Sequence, residues 1–388
     1  MKKENKYTII LLFDTPALQN DIKKFRLQEL KRIHEDIIIG DLSSVLKPLV
    51  DESVTAQRIN SKDLKKIIFK NKKEIKKFIS LHTDNCFYFP MFDDYYEVRY
   101  IYYLFVKYNI KYGYINNLNP DVADVGIPKV QISTSKLNAK HIKQGIYNRI
   151  IRKINRFCPA CLYFYANDLS REHYFWRGNC SERKTKKIGV HSFDYDNFMA
   201  SEVSKEQNYA VYLDIFLPYH PDMIGTDWDI DPQKYFENMN GIFDEIEQKT
   251  GCKVLIAAHP RADYNDKIYS FKKENIYYGQ TIELVKGAHF LIGSWSTTNQ
   301  MAVMANKPLI IVCEDEVWKN EHCRKICMEQ AAFFGSKIIR NKSDIKDLDF
   351  RINQNIYEDI RKKYWCVDNA IKPDLWKKII CQVDSEIV

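Results

Sequence analysis

"HFLIGSWSTTNQMAVMANKPLIIVC" (289–313) reads as an apolar strand over 289–293, a hydroxyl-rich turn, a short helix over about 298–305 and a second apolar strand over 308–313. Strands apolar throughout and joined by a helix are the pattern of a βαβ unit in a parallel sheet. The neighbouring stretches repeat it. "YAVYLDIFL" (209–217) reads as a strand, "PQKYFENMNGIFDEIEQKTG" (232–251) as a helix, "KVLIAAHP" (253–260) as a strand and "TIELVKGA" (281–288) as a short helix. In the long helix Phe236, Met239, Phe243 and Ile246 form the buried stripe, and Gly251 stands where a C-terminal cap belongs.

The first half of the chain alternates in the same way. "YTIILLF" (7–13), "EDIIIGDL" (35–42), "NCFYFPMF" (85–92) and "IKYGYIN" (110–116) read as strands, and 17–33 and 94–109 as helices. Residues from about 133 to 190 are basic and aromatic and give no clear pattern. At 388 residues the chain exceeds the size at which one core keeps growing. The expected architecture is therefore α/β, with two Rossmann-like domains facing across a cleft: 1–195 on the acceptor side and 196–388 binding the donor.

Composition narrows the class. Hydrophobic residues make up 45% and charged residues 28%, as in a soluble globular protein. The opening "MKKENKYTIILLFDTP" suits a first strand better than a signal peptide, so an intracellular, cytoplasmic protein is expected. Ten cysteines lack the paired spacing of a zinc ribbon and read as free thiols. The net charge of +8 is concentrated in "SKDLKKIIFKNKKEIKKF" (61–78) and "RGNCSERKTKK" (177–187). In the first run Leu64, Ile67, Ile68, Ile75 and Phe78 recur at near-helical spacing. An amphipathic helix with a solvated lysine face is expected there, and peripheral contact with an anionic membrane is the alternative. No nucleic-acid module accompanies the charge, so no nucleic-acid partner is expected.

Ligands of open parallel sheets bind beyond the carboxyl ends of the strands. Three loops of the second half leave strands at that edge. One carries Asp214, Tyr219, His220 and Pro221; one carries His259, Pro260 and Arg261; one carries Gly293, Ser294, Ser296, Thr297, Thr298 and Asn299. The third feeds a helix start, where backbone N–H groups favour an anion and hydroxyls add neutral donors. A simple N-cap would account for one hydroxyl and not for four. His259 can donate to a phosphate oxygen or assist a leaving phosphate, and Arg261 supplies a permanent planar donor set. Thr281 and Glu283 open the intervening helix, either as cap and first-turn charge or as contacts to a ribose.

"IAAHPRADY" followed by "GQTIELVKGAHFLIGSWSTTNQMAVMANKPLII" resembles the C-terminal half of bacterial GT-B glycosyltransferases from surface-polysaccharide gene clusters. The layout is similar to that of bacterial sialyltransferases and polysialyltransferases, which share an HP motif and a downstream Ser-rich motif. CDP-glycerol-type polymerases of wall teichoic acid have a comparable layout. The resemblance covers roughly 209–313 and sets His259 and Pro260 on the HP motif and Ser296 and Thr297 on the Ser/Thr motif that holds the donor phosphate. It implies a GT-B fold and a nucleotide-sugar-dependent glycosyltransferase of capsule, lipopolysaccharide or related polysaccharide synthesis. Those families carry their general base in an acidic motif ending in Gly, which is missing here. Asp14, Asp93 and Asp94 occupy strand-end positions that could serve instead, Asp94 being preferred and Asp14 second.

The expected reaction moves a sugar from a nucleotide donor onto a glycan or glycolipid acceptor at the inner face of the membrane. The resemblance favours a CMP-linked, sialic-acid-like nonulosonic acid. No metal cofactor is required if neutral and cationic side chains stabilise the leaving phosphate. "DWDID" (Asp227, Asp229, Asp231) looks like a DxD metal motif, but it precedes a helix, which favours capping. The rivals are a CDP-glycerol-type glycerophosphotransferase and a non-catalytic nucleotide-binding component of a polysaccharide assembly complex.

Overall fold

Thr8–Phe13 (β1) shows why the first sheet is parallel. Ile9, Leu11 and Phe13 enter one hydrophobic core and Ile10 and Leu12 enter another. Successive side chains of a strand point to opposite faces, so β1 is buried on both. The computed structural model describes residues 7–48, 51, 58–60, 62–92, 97–116, 153, 157–166, 180–202, 207–220, 229–348, 350–364 and 375–387. Asp93, Asp94, Pro221 and Asp227 lie outside these residues.

The chain forms two compact units, each with its own parallel sheet. In the first, β2 (Ile37–Asp41), β3 (Lys65–Ile68) and β4 (Cys86–Pro90) pair in the order β3-β2-β1-β4. A second ribbon of β5 (Gly113–Asn116), β6 (Leu162–Tyr165) and β7 (Lys186–Gly189) pairs in the order β5-β6-β7. A parallel bridge between Tyr88 and Tyr112 joins them, and Tyr88 N–H donates to Lys111 C=O (3.1 Å). The C-terminal helix Leu375–Ile387 belongs to this unit, whereas the sequence reading assigned 196–388 wholly to the second. Trp376 carries the attachment: it is buried against Phe89 and Phe193, and its indole N–H donates to Phe25 C=O (2.7 Å).

The second unit pairs β8 (Tyr209–Leu213), β9 (Lys253–Ala257), β10 (Ile276–Tyr277), β11 (Phe290–Gly293), β12 (Leu309–Val312) and β13 (Ile338–Ile339) in the order β10-β9-β8-β11-β12-β13. Every pairing is parallel. The order reverses between β8 and β11, which makes that gap the topological switch point. The helix Pro232–Thr250 starts at Asp231, whose carboxylate accepts from Gln233 N–H (3.0 Å) and Lys234 N–H (3.3 Å), and stops at Gly251 with φ +69°. Within the described residues, then, the acidic run before this helix contains its cap.

Three sequence expectations need correction. The helix expected over 17–33 is two, Gln19–Lys24 and Leu27–Ile33, because Arg26 turns left-handed with φ +48°. Its guanidinium is held there by the Asp196 carboxylate (2.9 Å) and carbonyl (2.8 Å). The lysine-rich run 61–78 is not one helix either. Its first part is the edge strand β3 and its second begins the helix Lys72–Leu81, which Asn71 caps by accepting from Glu74 N–H (3.0 Å). Of the apolar stripe, Leu64, Ile75 and Phe78 are buried in the two cores and Ile67 is half-buried, while Ile68 is exposed on the edge strand and Lys72, Lys73, Lys76 and Lys77 are exposed on the helix. Finally, the stretch without pattern contributes β6 and β7. The nine described cysteines are free thiols, and among the described residues no helix is long and apolar enough to cross a membrane.

Trp376→Ala removes a fully buried indole and should destabilise the first unit by about 3–5 kcal/mol. Trp376→Phe should cost clearly less. Urea unfolding followed by circular dichroism measures both.

Candidate functional site

The strand ends of the second unit align. Leu213 pairs with Ala257 and Ile292 with Tyr212, so the loops after β8, β9 and β11 leave the sheet side by side at the switch point. Adjacent strands lie roughly 4.8 Å apart, which sets the scale of the site.

Asp214, the first residue after β8, is buried beneath these loops. Its Oδ1 accepts from Phe216 N–H (2.8 Å) and its Oδ2 from His259 N–H (3.1 Å). The Tyr264 hydroxyl lies 3.1 and 3.0 Å from the two oxygens. Burial pushes the Asp214 carboxyl up to about 6, and the N–H and O–H donors oppose that rise. The β9 loop then turns at once. Ala262 N–H donates to His259 C=O (2.8 Å), and Pro260 fits the position of this turn that needs φ near −65°.

The turn also orients the ring of His259. Arg261 N–H donates to Nδ1 (3.2 Å), so the neutral imidazole carries its proton on Nε2, the form that donates to an anion. The ring of His220 lies edge-to-face on that of His259, with centroids 4.9 Å apart. The sequence candidates His220, His259, Pro260 and Arg261 are thus gathered at one place. Tyr219 braces the same loop. Its hydroxyl donates to Tyr269 C=O (3.0 Å), its ring stacks on Phe236, and the Lys267 ammonium sits 4.8 Å over it.

The hydroxyl-rich turn divides its labour. Ser294 is buried with its Oγ 3.8 Å from Cys327 Sγ, so it points into the core. Ser296 caps the turn Thr297–Asn299 by accepting from Thr298 N–H (3.2 Å), and its Oγ lies 2.5 Å from Thr298 Oγ1. Capping and packing therefore use more of the four hydroxyls than the sequence reading allowed. Thr297 is the exposed one of the four. Asn299 is fully buried and donates through Nδ2 to Ser294 C=O (2.6 Å) and Gln330 Oε1 (3.1 Å), which pins the turn from below. Gly293 is required by the same packing, because a Cβ there would collide with Asn299 Oδ1.

The other candidates lie on other elements. Gln280, not Thr281, is the N-cap residue of the helix Thr281–Gly287, and Glu283 is an exposed acid of its first turn. Asp14 follows β1 in the first unit, buried and ion-paired with Lys47 (2.7 Å). Asp94 falls outside the described residues. Sequence reading gave no role to Tyr264 or Gln330. Tyr264 was visible only as the end of "AAHPRADY", and nothing in the sequence links Gln330 to a turn thirty residues earlier.

No family model and no curated protein matches the chain. Among solved structures it is similar to the wall teichoic acid polymerase TagF, at 12% identity, over 99% of this chain and 91% of that one, with a TM-score of 0.58. A TagF variant gives 11% identity, 99% and 89% coverage and a TM-score of 0.58. That variant soaked with CDPG gives 12% identity, 100% and 91% coverage and a TM-score of 0.55. At such identity the likeness establishes the fold. The two Rossmann-like units are of the GT-B type.

Gly293→Ala should destabilise the second unit by about 1–3 kcal/mol, since the amide it displaces is itself held on two sides; denaturant unfolding checks this. A second test concerns pH. Asp214 has a raised folded pKa, so its contribution to stability is fully present below about pH 4 and is lost as pH rises through about 6. The stability of Asp214→Asn relative to the native chain should therefore rise by up to roughly 3 kcal/mol between pH 4 and pH 8. Urea melts across that range measure the slope.

Proposed function

We propose that this chain is a GT-B transferase that takes a unit from a nucleotide-linked donor and adds it to a bacterial surface polymer. The observation that carries this reading is the pair of His-Pro loops at the switch point of the second unit. His259, with its proton directed to Nε2, stands against His220 there. A doubly wound sheet binds its ligand at that place, and a donor phosphate is the group that an imidazole N–H, a guanidinium and an exposed hydroxyl would recognise.

In this mechanism His259, Arg261 and Thr297 hydrogen-bond the phosphate of the departing nucleotide, with His220 beside them. They stabilise the negative charge that gathers on the phosphate as the bond to the transferred unit breaks. No metal cofactor is invoked. The general base, for which the sequence offers Asp14 and Asp94, takes the proton from the acceptor hydroxyl. The acceptor is a glycan or glycolipid, and the exposed lysines of the helix Lys72–Leu81 bring the enzyme to an anionic membrane by charge alone, because the apolar face of that helix is buried.

Two donors fit the reading. The resemblance to sialyltransferases and polysialyltransferases favours a CMP-linked nonulosonic acid. The likeness to TagF, whose variant was soaked with CDPG, favours a CDP-linked glycerol phosphate. A thermal-shift series with CMP, CDP, UDP, GDP and ADP separates them. A cytidine nucleotide near a hundred times its Kd should add about 2.7 kcal/mol of stability. CMP as the preferred ligand supports the nonulosonic-acid donor, and CDP supports the glycerol phosphate. Absence of stabilisation by any nucleotide overturns the donor site. With the preferred donor, His259→Ala should lower turnover by about 10²-fold or more, while binding without turnover in the native chain would make it a non-catalytic component.

A further inference from the structure

The two His-Pro loops touch the same buried group. Asp214 reaches the β8 loop through Phe216 N–H (2.8 Å), just ahead of His220, and the β9 loop through His259 N–H (3.1 Å). Phe216 adopts φ +58°, a left-handed conformation that a bulky residue holds only where its surroundings enforce it. The enforcing contacts include the Asp214 carboxylate and the Tyr264 ring, which packs edge-on against Phe216 at 5.3 Å. Tyr264 closes the arrangement. It belongs to the β9 loop, its hydroxyl lies within hydrogen-bond reach of both Asp214 oxygens, and its ring also packs against Phe236 and Phe271.

We infer that Asp214 is a positioning residue for the donor site, clamping the β8 and β9 loops together so that His220 and His259 stay edge-to-face and His259 keeps its Nε2–H form. The inference rests on the reading of His259 as a donor to the nucleotide phosphate. Asp214 itself lies beneath the loops and acts through the backbone of His259.

A carboxylate suits this task better than its neutral analogues. Its two oxygens accept from Phe216 N–H, His259 N–H and the Tyr264 hydroxyl together. An amide offers one acceptor oxygen, and its NH₂ would face a donor on the other side. Alanine accepts nothing and leaves the buried Phe216 N–H and the half-buried His259 N–H unmet. Tyr264→Phe removes the hydroxyl yet keeps the ring among its aromatic neighbours, so it tests the clamp in a chain whose packing is little changed.

The experiment is long-range proton–nitrogen NMR of the histidine rings at pH 8 without nucleotide, with His259→Gln used to assign the His259 signals. The native chain should show His259 as the Nε2–H tautomer. Asp214→Ala should give averaged nitrogen shifts, with Asp214→Asn and Tyr264→Phe between the two. Affinity for whichever of CMP and CDP the native chain prefers should fall at least tenfold in Asp214→Ala and less in Tyr264→Phe. An unchanged His259 tautomer in Asp214→Ala overturns the inference; if that variant does not fold, unchanged shifts in both Asp214→Asn and Tyr264→Phe overturn it equally. The two readings fail separately. Responsive rings with no binding of CMP, CDP, UDP, GDP or ADP to any chain support the clamp and sink the donor site, while nucleotide binding with unresponsive rings does the reverse.

Discussion

A parallel strand cannot be joined to its neighbour by a tight turn, so each must be followed by a crossover that returns over one face of the sheet. This constraint organises both units. It explains why β1 is apolar at alternate and intervening positions alike, with Ile9, Leu11 and Phe13 in one core and Ile10 and Leu12 in the other. It also sends every strand of a unit out through the same edge. His220, His259 and the turn after β11 therefore meet although they are far apart in sequence, because β8, β9 and β11 are neighbours. Chemistry could gather at one place in the second unit only because its strands all run the same way.

Much of this was legible because apolar runs bounded by turn residues leave few alternatives. The strands β1, β2, β4, β8, β9, β11 and β12 all fall within the stretches expected for them. So does the helix Pro232–Thr250, whose limits are set locally by Asp231 and Gly251. What escaped notice was decided at long range. Arg26 breaks a helix because Asp196, remote in sequence, holds its guanidinium. The lysine-rich run looked helical because Leu64, Ile67 and Ile68 happen to sit at helical offsets from Ile75, yet pairing with β2 claims the first part as a strand. β6 and β7 are four-residue strands that depend on their neighbours for definition. The return of the last helix to the first unit rests on Trp376, and no local pattern announces where an indole will dock.

The site was legible in its parts and illegible in its support. Residue types at strand ends pointed to His259, Pro260, Arg261 and the Ser/Thr turn before any contact was known. Their roles, however, depend on residues beneath them. Ser294 and Ser296 looked like ligand donors by composition, but Cys327 and the N–H of Thr298 engage them within the protein. Gly293 reads from sequence as a member of the donor loop and proves to be the space into which Asn299 fits. A hydroxyl counted from sequence is only a donor in principle; the buried amide of Asn299 decides which face of the turn is presented.

The two units place an aspartate at the same position, immediately after their first strand, and treat it differently. Asp14 follows β1 and meets the ammonium of Lys47 at 2.7 Å, so its charge is neutralised by a cation. Asp214 follows β8 and meets N–H and O–H dipoles from Ile215, Phe216, His259 and Tyr264. Dipoles orient a carboxylate without cancelling its charge, and burial among aromatic rings then raises its pKa, which costs stability near neutrality. A lysine in that place would relieve the cost. It would also put a flexible cation beneath loops that need fixed backbone directions, and an ammonium could not accept from their N–H groups. The ring of dipoles ties the β8 loop to the β9 loop through one side chain, and the accompanying loss of stability is the kind that functional sites retain.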